Sequence, residues 1–162
     1  MTKDNKLRNP VIILPLSSRF AKEYYKYLCE LRKTHTIEEI QESEELTIIQ
    51  RAFWTALIIE IGKLFDTYSG NKEVISLKKL PSFENCSWKQ KIDLIHGEAI
   101  IQKIIKTRNT FTAHFGKINK GIVGVTEICN SKLGKLLEDL DHPLAEFNQW
   151  LKNQENESCT PK

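Results

Sequence analysis

The segment ELTIIQRAFWTALIIEIGKLFDT, residues 45–67, most constrains the fold. Wound at about 100° per residue, it is apolar on more than one side. Such a helix cannot rest on one neighbour with its back in water, so it reads as the central, most buried helix. Leu46, Ile49, Phe53, Leu57 and Leu64 share one face, and Glu60 falls in the middle of it. The rest of the chain agrees with a helical protein. With only 7 Gly and 5 Pro in 162 residues, it lacks the turns that an all-β fold needs. Its length suits one domain, and 40% hydrophobic against 28% charged residues suffices for a real core.

The patterning predicts an all-α bundle of four to five main helices. Residues 1–16 are expected to be an extended or disordered arm, 17–154 one domain, and 155–162 a disordered tail. Ser17 or Ser18 is expected to cap a first helix that runs to about Thr34. Thr36, with Glu39 three residues on, reads as a capping box. It opens a long helix from Ile37 to about Thr67, bent near Ser43. Tyr68–Asn71 reads as a turn, and Ser76 as the cap of a short helix stopped by Pro81. A further short helix is expected over Trp88–Ile95, with Gly97 at the junction to the next. A loop is expected over residues 117–125, and helix from Thr126 to Gln154, with Pro143 at a new turn or kink.

The run from Ile100 to Phe115 carries a second anomaly. Ile101, Ile104, Phe111 and Phe115 share a face, and Arg108 sits in the middle of it, where leucine is expected. Arginine is almost never fully buried without a partner. One account joins the two anomalies: Glu60 pairs with Arg108 across packed helices, as a purely structural ion pair or as part of a site. Arg108 also begins the pattern Arg-Asn-x4-His, with Asn109 and His114. A guanidinium fork matches two phosphate oxygens, and an imidazole moves protons near neutral pH. Six residues along an ideal helix, however, separate Arg108 and His114 by roughly 9 Å in rise and roughly 120° in angle. They meet only if the helix loosens before His114 or if two copies of the motif face each other.

Arg108, Asn109 and His114 match the R-x(4–6)-H signature of the HEPN superfamily. Residues 56–67, ending in Leu-Phe-Asp-Thr, and the Ser76-Leu77-Lys78-Lys79-Leu80 segment resemble its abortive-infection-type branch. The likeness covers roughly residues 45–150. It implies a HEPN-like bundle and a homodimer with a composite cleft. It also implies an endoribonuclease of the toxin or phage-defence type, held in check by an antitoxin nucleotidyltransferase. Arg108, Asn109 and His114 would be catalytic and Asp66 supporting, with Glu60 added as Arg108's partner; Asp66 also reads simply as a helix end. Thr110 stands where that branch often carries lysine.

No cofactor or metal is expected. Cys29, Cys86, Cys129 and Cys159 lie far apart, with no C-x-x-C pair and no Cys/His ligand spacing. The apolar run Val11–Leu14, between Pro10 and Pro15, is too short for a secretory signal, and no window reaches the length of a membrane span. The expectation is a cytoplasmic protein with reduced thiols. A net charge of +3 is too balanced to indicate nucleic-acid binding by itself, although Lys103, Lys106, Lys117 and Lys120 flank the motif. The other histidines, His35, His96 and His142, read as surface or satisfied core residues. The tryptophans Trp54, Trp88 and Trp150 read as core or interface anchors. The alternative to an RNA-cleaving enzyme is a non-catalytic helical module that dimerises or scaffolds a protein partner.

Overall fold

The computed structural model describes residues 3–66, 75–80, 86–113 and 123–158; for 3–10, 111–113 and 155–158 it describes the backbone alone. Within these residues the protein is an all-α bundle. Its helices are α1 (Lys3–Thr34), α2 (Ile37–Glu42), α3 (Glu44–Phe65), α4 (Ser87–Gly97), α5 (Ala99–Ala113), α6 (Val125–Cys129), α7 (Leu133–Asp139) and α8 (Asp141–Ser158), with one 3-10 turn at Leu77–Lys79.

α3 is the centre, as its patterning requires. Leu57, Ile58, Glu60, Ile61, Gly62, Leu64 and Phe65 are all buried, over about 200° of its circumference. α1 packs most extensively against it, and α5 covers another side. α4 and α8 form the far layer, joined by Trp88, whose ring lies 5.9 Å from Phe147 and 5.5 Å from Trp150. Trp88 and Trp150 are thus packing residues.

The first helix differs from expectation. It does not wait for Ser17 or Ser18 but begins at Lys3 and passes both Pro10 and Pro15. Each proline removes one helix N–H and crowds the carbonyl four residues back. Packing outweighs that loss. Leu14, Ser18, Ala21 and Leu28 recur at helical spacing as a buried stripe, with Ser17 beside it. The small side chains at 17, 18 and 21 are all buried on the packed side of α1. The expected extended arm over residues 1–16 is therefore helical from Lys3 onward.

The caps are more regular. Thr36 accepts from the Glu39 amide at 3.2 Å, and Glu39 accepts from the Thr36 amide at 2.7 Å. The bend near Ser43 is a full break. Ser43 closes α2 and caps α3, its hydroxyl accepting from the Leu46 amide at 3.3 Å. The C-terminal region is three helices, not one. Ser131 donates to the Ile128 carbonyl at 2.6 Å and accepts from the Leu133 amide at 3.1 Å, so one hydroxyl replaces two helix bonds. Pro143 cannot donate to the Asp139 carbonyl, which separates α7 from α8 at Leu140. α8 reaches Ser158, into the expected tail. The segment after Ser76 is a single 3-10 turn. The expected turn at Tyr68–Asn71 lies outside the described residues, as does most of the 117–125 loop.

Pro15 lies inside a helix that packing sustains. Pro15→Ala should restore the bond to Val11 and raise unfolding stability by up to about 3 kcal/mol in urea titrations. An unchanged or lower midpoint would show that α1 does not persist through this position in solution.

Candidate functional site

Arg108 lies on the face of α5 that meets α3, two turns on from the buried residues Ile100 and Ile101. Its guanidinium Nη1 donates to Asp66 Oδ2 at 2.8 Å. The pair is mostly covered, with side chains 23% and 14% exposed. Asp66 ends α3 in extended backbone geometry. A carboxylate there faces the negative end of the helix dipole, so the arginine offsets an unfavourable position. Asp66 is thus both a helix end and the arginine's partner.

The arginine reaches Asp66 by lying across Gly62. A Cβ at position 62 would overlap the Arg108 Cδ and crowd its Nε and Cγ. Gly62 is one turn before Asp66, and the two make a seat and a clamp on one side of α3. The sequence reading missed Gly62. Its signal was present: glycine inside a helix costs roughly 1 kcal/mol relative to alanine, which asks for a compensating contact.

The expected pairing of Glu60 with Arg108 is not found. Glu60 is buried, but its Oε1 accepts from Lys63 Nζ at 2.7 Å on its own helix. Its Oε2 is buried without a hydrogen-bond partner. The reason is angular. Glu60 and Gly62 are two residues apart, so they point to nearly opposite sides of α3. The acid that faces α5 is the one four residues beyond Gly62.

Below Arg108 the site is anchored by Thr107, which is 1% exposed. Its hydroxyl donates to the Lys103 carbonyl at 2.8 Å and accepts from the Val123 amide at 3.0 Å. Trp54 Nε1 donates to the Val123 carbonyl at 3.1 Å. Side chains from α5 and α3 therefore hold Val123 on both of its polar backbone atoms. Asn109 is exposed beside Arg108. His114, Lys117 and Lys120 lie outside the described residues. Lys103 is paired with Glu127 at 2.5 Å, and Lys106 is exposed. The structure thus brings together Arg108, Asp66 and Gly62, places Asn109 beside them, and separates Glu60 from them.

Nearby, the His96 ring packs 5.8 Å from Phe65. Burial lowers its pKa below the ordinary 6.5, and Lys78 adds to the effect. Cys29, Cys86 and Cys129 are free thiols, and burial pushes the Cys129 thiol up to about 12. Among the described residues, no three His, Cys, Asp or Glu side chains gather as a metal site, and no helix is long and apolar enough to cross a membrane.

Asp66→Ala should cost about 1.5–3 kcal/mol, the worth of a hydrogen bond to a charged group. Glu60→Leu should be neutral or stabilising, because it replaces a poorly satisfied buried carboxylate. Gly62→Ala should destabilise in spite of alanine's better helix propensity, by displacing Arg108. Chemical denaturation of the three variants checks the order, and a loss at Glu60 larger than at Asp66 would contradict it.

Stability should also depend on pH through His96. A folded-state pKa below that of the unfolded chain means that unfolding takes up a proton. The His96 contribution is therefore full above 6.5 and is lost as pH falls from 6.5 toward the lower folded value. Melting temperature should drop between about pH 8 and about pH 5 less steeply in His96→Gln than in the parent.

Comparison with protein-family models, curated proteins and solved structures returns no match.

Proposed function

We propose that this chain is a metal-independent endoribonuclease of the toxin or phage-defence type, acting in the cytoplasm through Arg108, Asn109 and His114. The observation that carries the reading is the seating of Arg108. An arginine at a core position of α5 is held by Asp66 and by the space over Gly62, with Asn109 exposed next to it and His114 six residues along. The resemblance of the Arg-Asn-x4-His pattern to the HEPN signature supplies the chemistry. Arg108 would stabilise charge on the scissile phosphate, Asn109 would orient it, and His114 would move a proton at the 2′-hydroxyl or the leaving oxygen. The product is a 2′,3′-cyclic phosphate, which DNA cannot form. The angular separation of Arg108 and His114 in an ideal helix asks for one of two arrangements. Either α5 loosens before His114, or a second copy brings its own motif into a composite cleft. An antitoxin nucleotidyltransferase is the partner that this reading implies.

The second reading is a non-catalytic helical module that binds a protein partner. The Arg108–Asp66 contact favours it, since a direct ion pair also serves a purely structural role.

Purified protein should cut single-stranded RNA in excess EDTA and leave cyclic phosphate ends, with DNA untouched. His114→Ala should lower the rate by about 10²–10⁴-fold with the fold intact. Arg108→Ala should abolish cleavage and also lower stability, because the mostly covered ion pair with Asp66 is lost. Expression should be toxic for the parent and harmless for His114→Ala. Equal toxicity of the two, or no cleavage with or without added metal, would overturn the nuclease reading in favour of the scaffold.

A further inference from the structure

Five of the nine large apolar side chains exposed among the described residues lie on α1: Ile12, Ile13, Leu16, Phe20 and Tyr27. Four of them, with the half-buried Tyr24, form a single line. Ile13, Leu16, Phe20, Tyr24 and Tyr27 fall within an arc of about 80° on the helix, about 100° round from the stripe that faces α3. The line is some 21 Å long. It is also pre-assembled. Phe20 stacks on Tyr24 at 6.2 Å, and Tyr27 stacks on Phe53 of α3 at 5.0 Å. Apolar side chains scattered singly on a surface need no explanation, but a contiguous line of them marks an interaction face.

We propose that this line is the docking face for a second copy of the chain, α1 lying antiparallel to α1 about a twofold axis at Phe20. The spacing is the first argument. The intervals along Ile13, Leu16, Phe20, Tyr24 and Tyr27 are three, four, four and three, the same read from either end. A twofold interface needs a surface that is complementary to itself, and a palindromic stripe is one. With Phe20 on the axis, Leu16 meets Tyr24 of the second copy and Ile13 meets its Tyr27. Charge is the second argument. Arg19 and Glu23 are exposed, one turn apart, on the flank of the stripe that faces away from α3. The antiparallel register brings Arg19 of one copy beside Glu23 of the other, twice over. A partner helix of unrelated sequence would have no reason to match either feature.

The face is distinct from the candidate site. Phe53, which extends the stripe onto α3, and Gly62, which seats Arg108, are nine residues apart and so point to opposite sides of that helix. A dimer joined through α1 leaves Arg108 and Asn109 of both copies uncovered. The inference does not depend on the nuclease reading.

The test is the association state of the whole chain by sedimentation equilibrium and light scattering. The parent should be a dimer. Phe20→Glu should weaken association by about a hundredfold or more, since it puts two carboxylates on the axis of a packed aromatic core. Arg19→Glu should weaken it roughly three- to tenfold, and Arg19→Glu with Glu23→Arg should recover the parental value, which a loss of folding cannot mimic. Leu94→Glu, at an equally exposed apolar position on α4, should change nothing, and circular dichroism should be unaltered throughout. A parent that stays monomeric at several hundred micromolar would overturn the proposal. So would a dimer that survives Phe20→Glu, or one that the charge exchange fails to restore.

Discussion

The fold depends on covering α3. Leu57, Ile61, Leu64 and Phe65 are inaccessible to solvent around a wide arc of one helix. Burying that surface is the largest favourable contribution available to a chain of this size, and no single neighbour can do it. α1 and α5 take two sides of it, and the residue choices on each follow. α1 makes the more extensive contact and buries Leu14, Ser17, Ser18, Ala21 and Leu28, packing that sustains the helix through two prolines. α5 supplies isoleucines at 100, 101 and 104, and then a single arginine.

That arginine connects the core to the candidate chemistry. Its placement uses the geometry of α3 twice: a missing side chain at Gly62 makes room, and a carboxylate one turn further on, at Asp66, fixes the fork. Because the ion pair is mostly covered, its electrostatic strength exceeds that of a surface pair and its geometry is held by packing. Thr107 ties the same turn of α5 to Val123, and Trp54 holds the other side of that residue. The chain that leaves α5 after Ala113 therefore returns to a point fixed by α3 and α5 together. Whatever Arg108 contacts, it does so from a rigid base. Glu60, by contrast, is a buried carboxylate with one partner on its own helix, and its second oxygen has none. Lys63, three residues along the same helix, reaches only one of the two oxygens.

α1 has two apolar lines, and only one belongs to the core. Leu14, Ala21 and Leu28 are buried, while Ile13, Leu16, Phe20 and Tyr27 are exposed, Tyr27 touching α3 only through Phe53 at its edge, although both lines have helical spacing. Periodicity alone merges them into one broad apolar helix. Which line is inside is decided by where α3 lies.

The sequence by itself determined the helical class, the central place of α3, the capping box at Thr36 and a change of direction near Ser43, though it read a bend where the structure has a full break. Each rests on contacts within a few residues of the chain, or on how many sides of a helix are apolar. It also marked Arg108 and Glu60 as charges at core positions. The tertiary structure alone decided their partners. Pairing across helices depends on the rotation of one helix about another, and Glu60 and Asp66 lie about 120° apart around α3. That rotation turned Glu60 away and brought Asp66 to Arg108. The start of α1 was likewise a tertiary outcome: the local rule for proline predicts a break, and packing against α3, which is invisible to local rules, outweighs it.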